Sequence, residues 1–252
     1  MSRNKYDVCI IGGAGHIGLP LGLLLKEKKI KVVLHDINKK NIDLIKNRKM
    51  PFYEKGANKL LKRGIEATSD NKVIKESRII IICIGTPVDE YSNPKLKQFF
   101  EFIYDLKKLI AKNQTIIIRS SVYPQTCERL KNILNKNIAY CPERIVQGSA
   151  IKEMSKLPQI ISGFTDKSIS ESKDVFSKIS KKIIITSVLE AELIKLFSNA
   201  WRYINFSVSN QFYMISNKYN IDFHSLREKM IDGYERNKNI PKAGFAAGPC
   251  LL

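Results

Sequence analysis

The chain has 252 residues, 44% of them hydrophobic, and a formal net charge of +19. That length supports one large domain, or one and a half smaller ones, with a buried core. No apolar run approaches the roughly 18 residues of a membrane span, so no membrane partner is expected. The lysines are scattered, without an arginine-rich arm or an aromatic-basic stacking motif, so the charge reads as solvated helix faces and no nucleic-acid partner is expected. A positive field also gathers anionic ligands. The polar opening MSRNK runs straight into a strand-like stretch with no secretion signal, which predicts a cytoplasmic protein. The cysteine count is odd and contains no C-x-x-C pair, so neither a disulfide framework nor a metal site is expected.

Strand-like and helical patterns alternate from the start. Residues 6–12 (YDVCIIG) predict a strand, 17–26 a helix, 31–35 (KVVLH) a strand and 39–47 a helix. The run IIIICI at 79–84 is β-branched without alternation, as in a parallel sheet covered on both faces. A helix over 96–111, a strand over 115–118 and a helix over 126–135 follow. Shorter strands are expected at 138–140, 159–162 and 183–186, with a helix over 167–179. The pattern predicts an α/β fold, a Rossmann-like doubly wound parallel sheet. From Val188 the texture changes: 188–219 has no proline or glycine and predicts one helix roughly 48 Å long at 1.5 Å per residue. Such a helix is too long for a crossover and reads as a spine that packs elsewhere. A short helix over 223–230 and a glycine- and proline-containing loop complete the chain. The expected organisation is a dinucleotide-binding domain over 1–187 and a helical segment over 188–252.

Gly13-Ala14-Gly15-His16-Ile17-Gly18 fits G-x-G-x-x-G between a strand and a helix. Gly13 permits the tight turn, Gly15 lets the backbone approach a pyrophosphate, and Gly18 lets the helix pack on the strand. The helix N-terminus supplies free N–H groups and positive potential. Asp36 ends the second predicted strand at the spacing of a ribose-binding carboxylate. It would accept from a 2′-hydroxyl and repel a 2′-phosphate, so the expected cofactor is NAD rather than NADP.

Lys195, Asn199 and Arg202 lie at i, i+4 and i+7 on the long helix and share one face. That stripe is either a solvated polar face or a holder of a polarised oxygen and an anion. The segment AGFAAGPC at 243–250 adds a glycine-rich loop presenting Cys250 after a Gly-Pro turn, with backbone N–H groups open to a ligand.

GFAAGPCL resembles the catalytic-cysteine motif of the UDP-glucose/GDP-mannose dehydrogenase family. Supporting matches are GGAGHIGLPLG, IGTPVDE at 84–90, RSSVYPQT at 119–126, CPERIVQG at 141–148, LPQIISG at 157–163 and EAELIKLFSNAWRYINF at 190–206. The PERI and WRYI variants are most similar to the branch acting on UDP-N-acetylhexosamines such as UDP-N-acetyl-D-mannosamine. The resemblance implies a two-step, NAD-dependent oxidation of a C6 alcohol to a carboxylate, feeding cell-surface polysaccharide synthesis. It casts Cys250 as the nucleophile that captures the aldehyde. Lys195 and Asn199 then serve the reacting oxygen and Glu143 orients or activates water. It places Ser121 near the nicotinamide, where the family usually has threonine, and Thr86 and the backbone of His16 and Ile17 against NAD. Arg144, Ile145, Lys195, Asn199, Arg202 and Gly248 match substrate-contacting positions. Arg236 resembles an arginine that crosses a dimer interface, although GYER at 233–236 departs from the usual form of that segment. A homodimer through the long helix is implied. Many members continue past the cysteine with Lys-Asp and a UDP-binding domain, so this sequence is expected to be the N-terminal part of such an enzyme.

Two other readings compete. One is a truncated, non-catalytic NAD-binding and dimerisation module. The other is a hydroxyacid-type dehydrogenase, which also joins a Rossmann domain to a long helix with Lys and Asn but has no need of a loop cysteine.

Overall fold

The computed structural model describes residues 4–86 and 96–245 of the chain. They fall into two compact units, residues 1–195 and 196–252.

The first unit is built on an eight-stranded sheet. Its strands are β1 (Tyr6–Ile11), β2 (Val32–His35), β3 (Glu66–Thr68), β4 (Ser77–Ile82), β5 (Thr115–Ile118), β6 (Asn137–Tyr140), β7 (Gln159–Gly163) and β8 (Ile183–Ile185). The spatial order is β3-β2-β1-β4-β5-β6-β7-β8. All neighbours are parallel except β6 and β7, which run antiparallel. This is the doubly wound α/β sheet expected from the alternating pattern, with one reversed pair that the pattern does not show.

The isoleucine-rich strands follow from two-sided burial. Val8, Ile10, Ile79, Ile81 and Ile117 point into one core layer with helix α1 (Gly18–Glu27). Cys9, Ile11, Ile80, Ile82, Ile116 and Ile118 point into the other, with α5 (Leu96–Leu109) and α6 (Thr126–Leu134). Side chains alternate across a strand, so a strand between two helical layers has no polar face. Each fully buried isoleucine contributes about 1.5–3 kcal/mol.

Between α2 (Lys39–Lys46) and β4 the sequence suggests no regular element, yet α3 (Ala57–Leu61), β3 and α4 (Lys72–Lys75) form there. These pieces are too short to show a period. β3 buries only Ala67 fully and is held by its pairing with β2. Helix α7 (Ala150–Lys156) was equally invisible for the same reason. Helix α8 (Asp166–Phe176) is announced by a capping box at Thr165 and Ser168.

Helix α9 (Val188–Lys218) matches the predicted spine closely. Its first turns bury Val188, Ala191, Glu192 and Lys195 in the first unit. In the second unit, α10 (Phe223–Ile231) starts at Asp222, whose carboxylate accepts from the His224 and Ser225 N–H groups. Phe223 is fully buried and meets Tyr213 edge-on at 6.3 Å. A short 3-10 turn, Glu235–Asn237, follows.

Candidate active site

The dinucleotide turn sits where the winding of the sheet reverses. The chain moves from β1 outward through β2 and β3, then returns to β4 on the other side of β1. In open α/β sheets, ligands bind outside the carboxyl ends of the strands at such a switch point. A Cβ on Gly18 would stand 2.3 Å from the Gly12 carbonyl oxygen, and one on Gly13 2.7 Å from that of Ile10. Both positions therefore require glycine for packing. A Cβ on Gly15 would meet only the Gly12 oxygen, at 3.3 Å, which leaves its other side open to a ligand.

The turn fits a dinucleotide. Helix α1 has no side-chain cap and no acidic residue in its first turn. Among the described residues, the His16 and Ile17 N–H groups have no protein acceptor. The positive end of the helix is thus left for an external anion. Asp36 lies beside it: Oδ2 accepts from the Ala14 N–H at 2.9 Å and Oδ1 from the Asn38 N–H at 2.9 Å. The structure so brings together two sites separated in sequence, and the carboxylate keeps lone pairs for a ribose. Asp36→Ala is expected to weaken NAD binding by about 1.5–3 kcal/mol, the range for hydrogen bonds to a charged group. Titration calorimetry measures this, and equal affinity of the native chain for NAD and NADP would contradict the ribose role.

The loops after β4 and β5 are tied together. The Thr86 hydroxyl donates to the Ser121 carbonyl at 2.7 Å, and the Ser120 hydroxyl to the Ile84 carbonyl at 2.6 Å. Glu143 is buried and ion-paired to Arg119 through Oε2. Its Oε1 accepts from the Arg144 and Ile145 N–H groups at 2.7 and 3.2 Å. The Arg144 guanidinium donates to the Pro158 carbonyl at 2.8 Å.

Arg119, unremarked in the sequence beyond its place in RSSVYPQT, is the hub of this region. Its guanidinium donates to the Cys141 carbonyl at 3.0 Å and to Gln159 at 2.9 Å, and stacks 4.6 Å from the centre of the Phe176 ring. Glu192 was missed as well. Its carboxylate accepts from the Gln125 and Cys127 N–H groups at 2.7 and 2.9 Å, capping a helix whose own N-cap side chain does not. This pins the start of α9, and so the backbone that carries Lys195, to the segment after β5. No local sequence signal marks either contact, because the partners stand far apart in the chain.

Lys195 is 7% exposed, whereas Asn199 and Arg202 on the same helix are half-buried. Among the described residues, the buried Arg202 Nε has no hydrogen-bond partner. Arg236 is exposed in the 3-10 turn. Within the second unit, the Asn210 side chain clamps the Gly244 backbone, donating to its carbonyl at 2.9 Å and accepting from its N–H at 2.8 Å. That clamp holds the approach to the glycine-rich loop. Gly248 and Cys250, and the end of IGTPVDE, lie outside the described residues. The remaining cysteines are poor nucleophiles. Burial pushes the thiols of Cys9 and Cys83 up to about 12, that of Cys141 to about 11, and that of Cys127 well above its ordinary value.

Comparison with known proteins agrees with this geometry. Residues 6–184 match the NAD binding domain of the UDP-glucose/GDP-mannose dehydrogenase family, and residues 189–252 match its central domain. The chain belongs to this family. Its cofactor is accordingly NAD. A UDP-N-acetyl-D-mannosamine dehydrogenase of Methanococcus aeolicus is 31% identical over 229 residues, which cover 85% of this chain and 52% of that protein. A solved UDP-D-ManNAc dehydrogenase from Pyrococcus horikoshii superposes with a TM-score of 0.87 at 25% identity, over 97% of this chain and 62% of that one. A UDP-N-acetyl-mannosamine dehydrogenase from Staphylococcus aureus gives 0.79 at 25% identity, over 96% and 64%. The chain spans about half the length of the curated relatives it matches.

Proposed function

We propose that this chain is the cofactor-binding and nucleophile-bearing part of a nucleotide-sugar 6-dehydrogenase that oxidises a UDP-N-acetylhexosamine, UDP-N-acetyl-D-mannosamine foremost, to the uronate. The observation that carries the reading is the convergence at the carboxyl end of the sheet. An uncapped helix N-terminus, the Asp36 carboxylate and the Thr86–Ser121 tie lie beyond the same strand ends as the Arg119–Glu143 pair. The substrate class is that of the relatives this chain resembles, UDP-N-acetyl-D-mannosamine dehydrogenases.

NAD, held by the 13–18 turn and Asp36, would supply the hydride acceptor, one oxidised molecule for each of the two oxidations. The protein's residues do the remaining work. Lys195 takes the C6 hydroxyl proton as the hydride leaves and stabilises the developing oxygen charge; Asn199 holds that oxygen or a water. The Cys250 thiolate adds to the aldehyde carbonyl to form a thiohemiacetal. Loss of the second hydride and of the hydroxyl proton leaves a thioester, and water then displaces the thiol to release the carboxylate. Glu143, held between Arg119 and the backbone, orients that water and shapes the loop carrying Arg144 and Ile145. Arg144, Ile145, Arg202 and Gly248 bind the sugar nucleotide, and Arg236 reaches a neighbouring copy's site.

The reading extends to assembly. Phe197, Trp201, Ile204, Val208, Phe212 and Ile215 of α9, and Tyr219 just beyond its end, recur at spacings of three or four, and all are exposed. That repeat makes an apolar seam of the kind two helices bury together. A second copy of the chain is the proposed occupant. Light scattering is expected to show a dimer, and Trp201→Glu to shift it toward monomer. A native chain that stays monomeric at micromolar concentration would refute the seam as a self-association surface.

The enzymatic reading is tested by incubating purified protein with NAD and UDP-N-acetyl-D-mannosamine and following NADH absorbance. The expected result is tight NAD binding with feeble turnover in this chain, and full turnover once it is joined to the C-terminal half of a relative. Robust turnover by the chain alone would show that its own residues complete the substrate pocket. No turnover in the joined protein with any UDP-N-acetylhexosamine would sink the substrate assignment.

A further inference from the structure

The segment KMPFYEKG, residues 49–56, carries no motif in the sequence reading, yet it touches both loops on which the proposed chemistry depends. At one end, the Phe52 ring lies against the His16 ring, with centroids 4.0 Å apart and planes 34° from parallel. His16 belongs to the dinucleotide turn and is one of the two residues there whose backbone N–H has no protein acceptor among the described residues. Partial burial lowers its pKa, which keeps the ring neutral and suited to packing on an aromatic face.

At the other end, the segment grips residues 148–151. The Lys55 N–H donates to the Gly148 carbonyl at 3.1 Å. The buried Glu54 carboxylate accepts from the Ile151 N–H at 3.3 Å, at the start of α7, whose own N-cap residue makes no side-chain bond. Gly148 has φ +85°, a left-handed conformation, and its Cα faces the Tyr53 ring, with 3.7 Å left for a Cβ. The gripped residues continue directly from Arg144 and Ile145, which Glu143 holds by their N–H groups. Val146 is fastened in turn, its N–H donating to Glu153 of α7 at 2.7 Å. Met50, Phe52, Ile145 and Ile151 all pack against the same core layer. Only Tyr53 separates Phe52 from Glu54, so the contacts at the two ends of the segment lie close together in the chain.

We propose that residues 50–56 form a positioning strap that couples occupancy of the dinucleotide turn to the order of the 143–151 loop. NAD engages the His16 N–H and fixes that residue, which holds Phe52. Phe52 in turn holds Glu54 and Lys55 against the loop that presents Arg144 and Ile145. The coupling is reciprocal, so a sugar nucleotide held by that loop tightens NAD to the same extent. Phe52 acts here through His16 and the loop. The role of the 143–151 loop in substrate binding rests on the proposed function; the coupling itself does not.

Hydrogen–deuterium exchange on this chain, with and without saturating NAD, tests the strap without requiring turnover. NAD is expected to slow exchange at 13–18, and also at 143–151 by about fivefold or more, the lower end of typical coupling between sites. In Phe52→Ala the protection at 13–18 persists and that at 143–151 is lost. His16→Ala keeps its backbone N–H and breaks the same ring contact from the solvent-facing turn, so it uncouples the loops even if Phe52→Ala fails to fold. A merely structural role for Phe52 would raise exchange in both segments equally with and without NAD. Protection in the native chain confined to 13–18, or undiminished protection at 143–151 in either variant, would overturn the strap. Absence of protection at 13–18 would sink the cofactor assignment and the coupling with it.

Discussion

Arg119→Met is expected to destabilise the first unit by about 3–5 kcal/mol, the usual cost of removing one partner of a buried ion pair. The reason is what stays behind. Glu143 keeps its charge in a site where its carboxylate has lost the guanidinium, and the Cys141 carbonyl and Gln159 lose a donor at once. Methionine fills part of the volume over Phe176 and so isolates the polar contribution from a cavity. Urea unfolding measures the loss. The double variant Arg119→Met/Glu143→Gln removes the stranded charge and keeps an oxygen for the Arg144 and Ile145 N–H groups, so it is expected to recover more than half of the deficit. A double variant no more stable than the single one would refute the ion-pair account.

Cys250→Ser, in the chain joined to a relative's C-terminal half, is expected to reduce uronate formation by several orders of magnitude. Serine matches the cysteine in shape, but its hydroxyl is scarcely ionised near neutral pH, whereas a thiol is partly thiolate. The cysteines at 9, 83, 127 and 141 offer no substitute, because burial holds all four as neutral thiols. Hydride loss from the alcohol does not use the thiol, so this variant retains some first-step NADH formation with aldehyde as product. Lys195→Ala, by contrast, slows the first step itself, by about 10²–10³-fold, the scale for losing a group that stabilises developing charge. The two variants separate the steps when NADH and uronate are measured in parallel. Undiminished uronate formation by Cys250→Ser would overturn the covalent route.

Much of this molecule is legible without coordinates. The alternation of β-branched runs with amphipathic stretches specifies a doubly wound sheet, because a strand covered on both faces can tolerate no polar side. GAGHIG marks a tight strand-to-helix turn, because only glycine fits against the carbonyls of Ile10 and Gly12, and Asp36 folds back onto that turn through the Ala14 N–H. The long helix is equally plain, since 188–219 contains no residue that would break it.

What the sequence could not show are the pairings made across the chain. Arg119 and Glu143 are 24 residues apart and meet because β5 and β6 are neighbours in the sheet. Glu192 caps a helix that begins 66 residues earlier, and Glu54 reaches across 97 residues to the start of α7. In all three cases a charged side chain is buried because a distant backbone or guanidinium is brought to it, and local propensity carries no trace of that. The short elements α3, β3, α4 and α7 share the cause: each has too few residues to stabilise itself and exists through the neighbours the fold supplies. The sequence by itself determined the architecture and the cofactor turn, because periodicity and glycine sterics act locally. Only the tertiary structure decided which buried charges answer one another, and that a segment without any motif, 49–56, lies between the two loops of the proposed site.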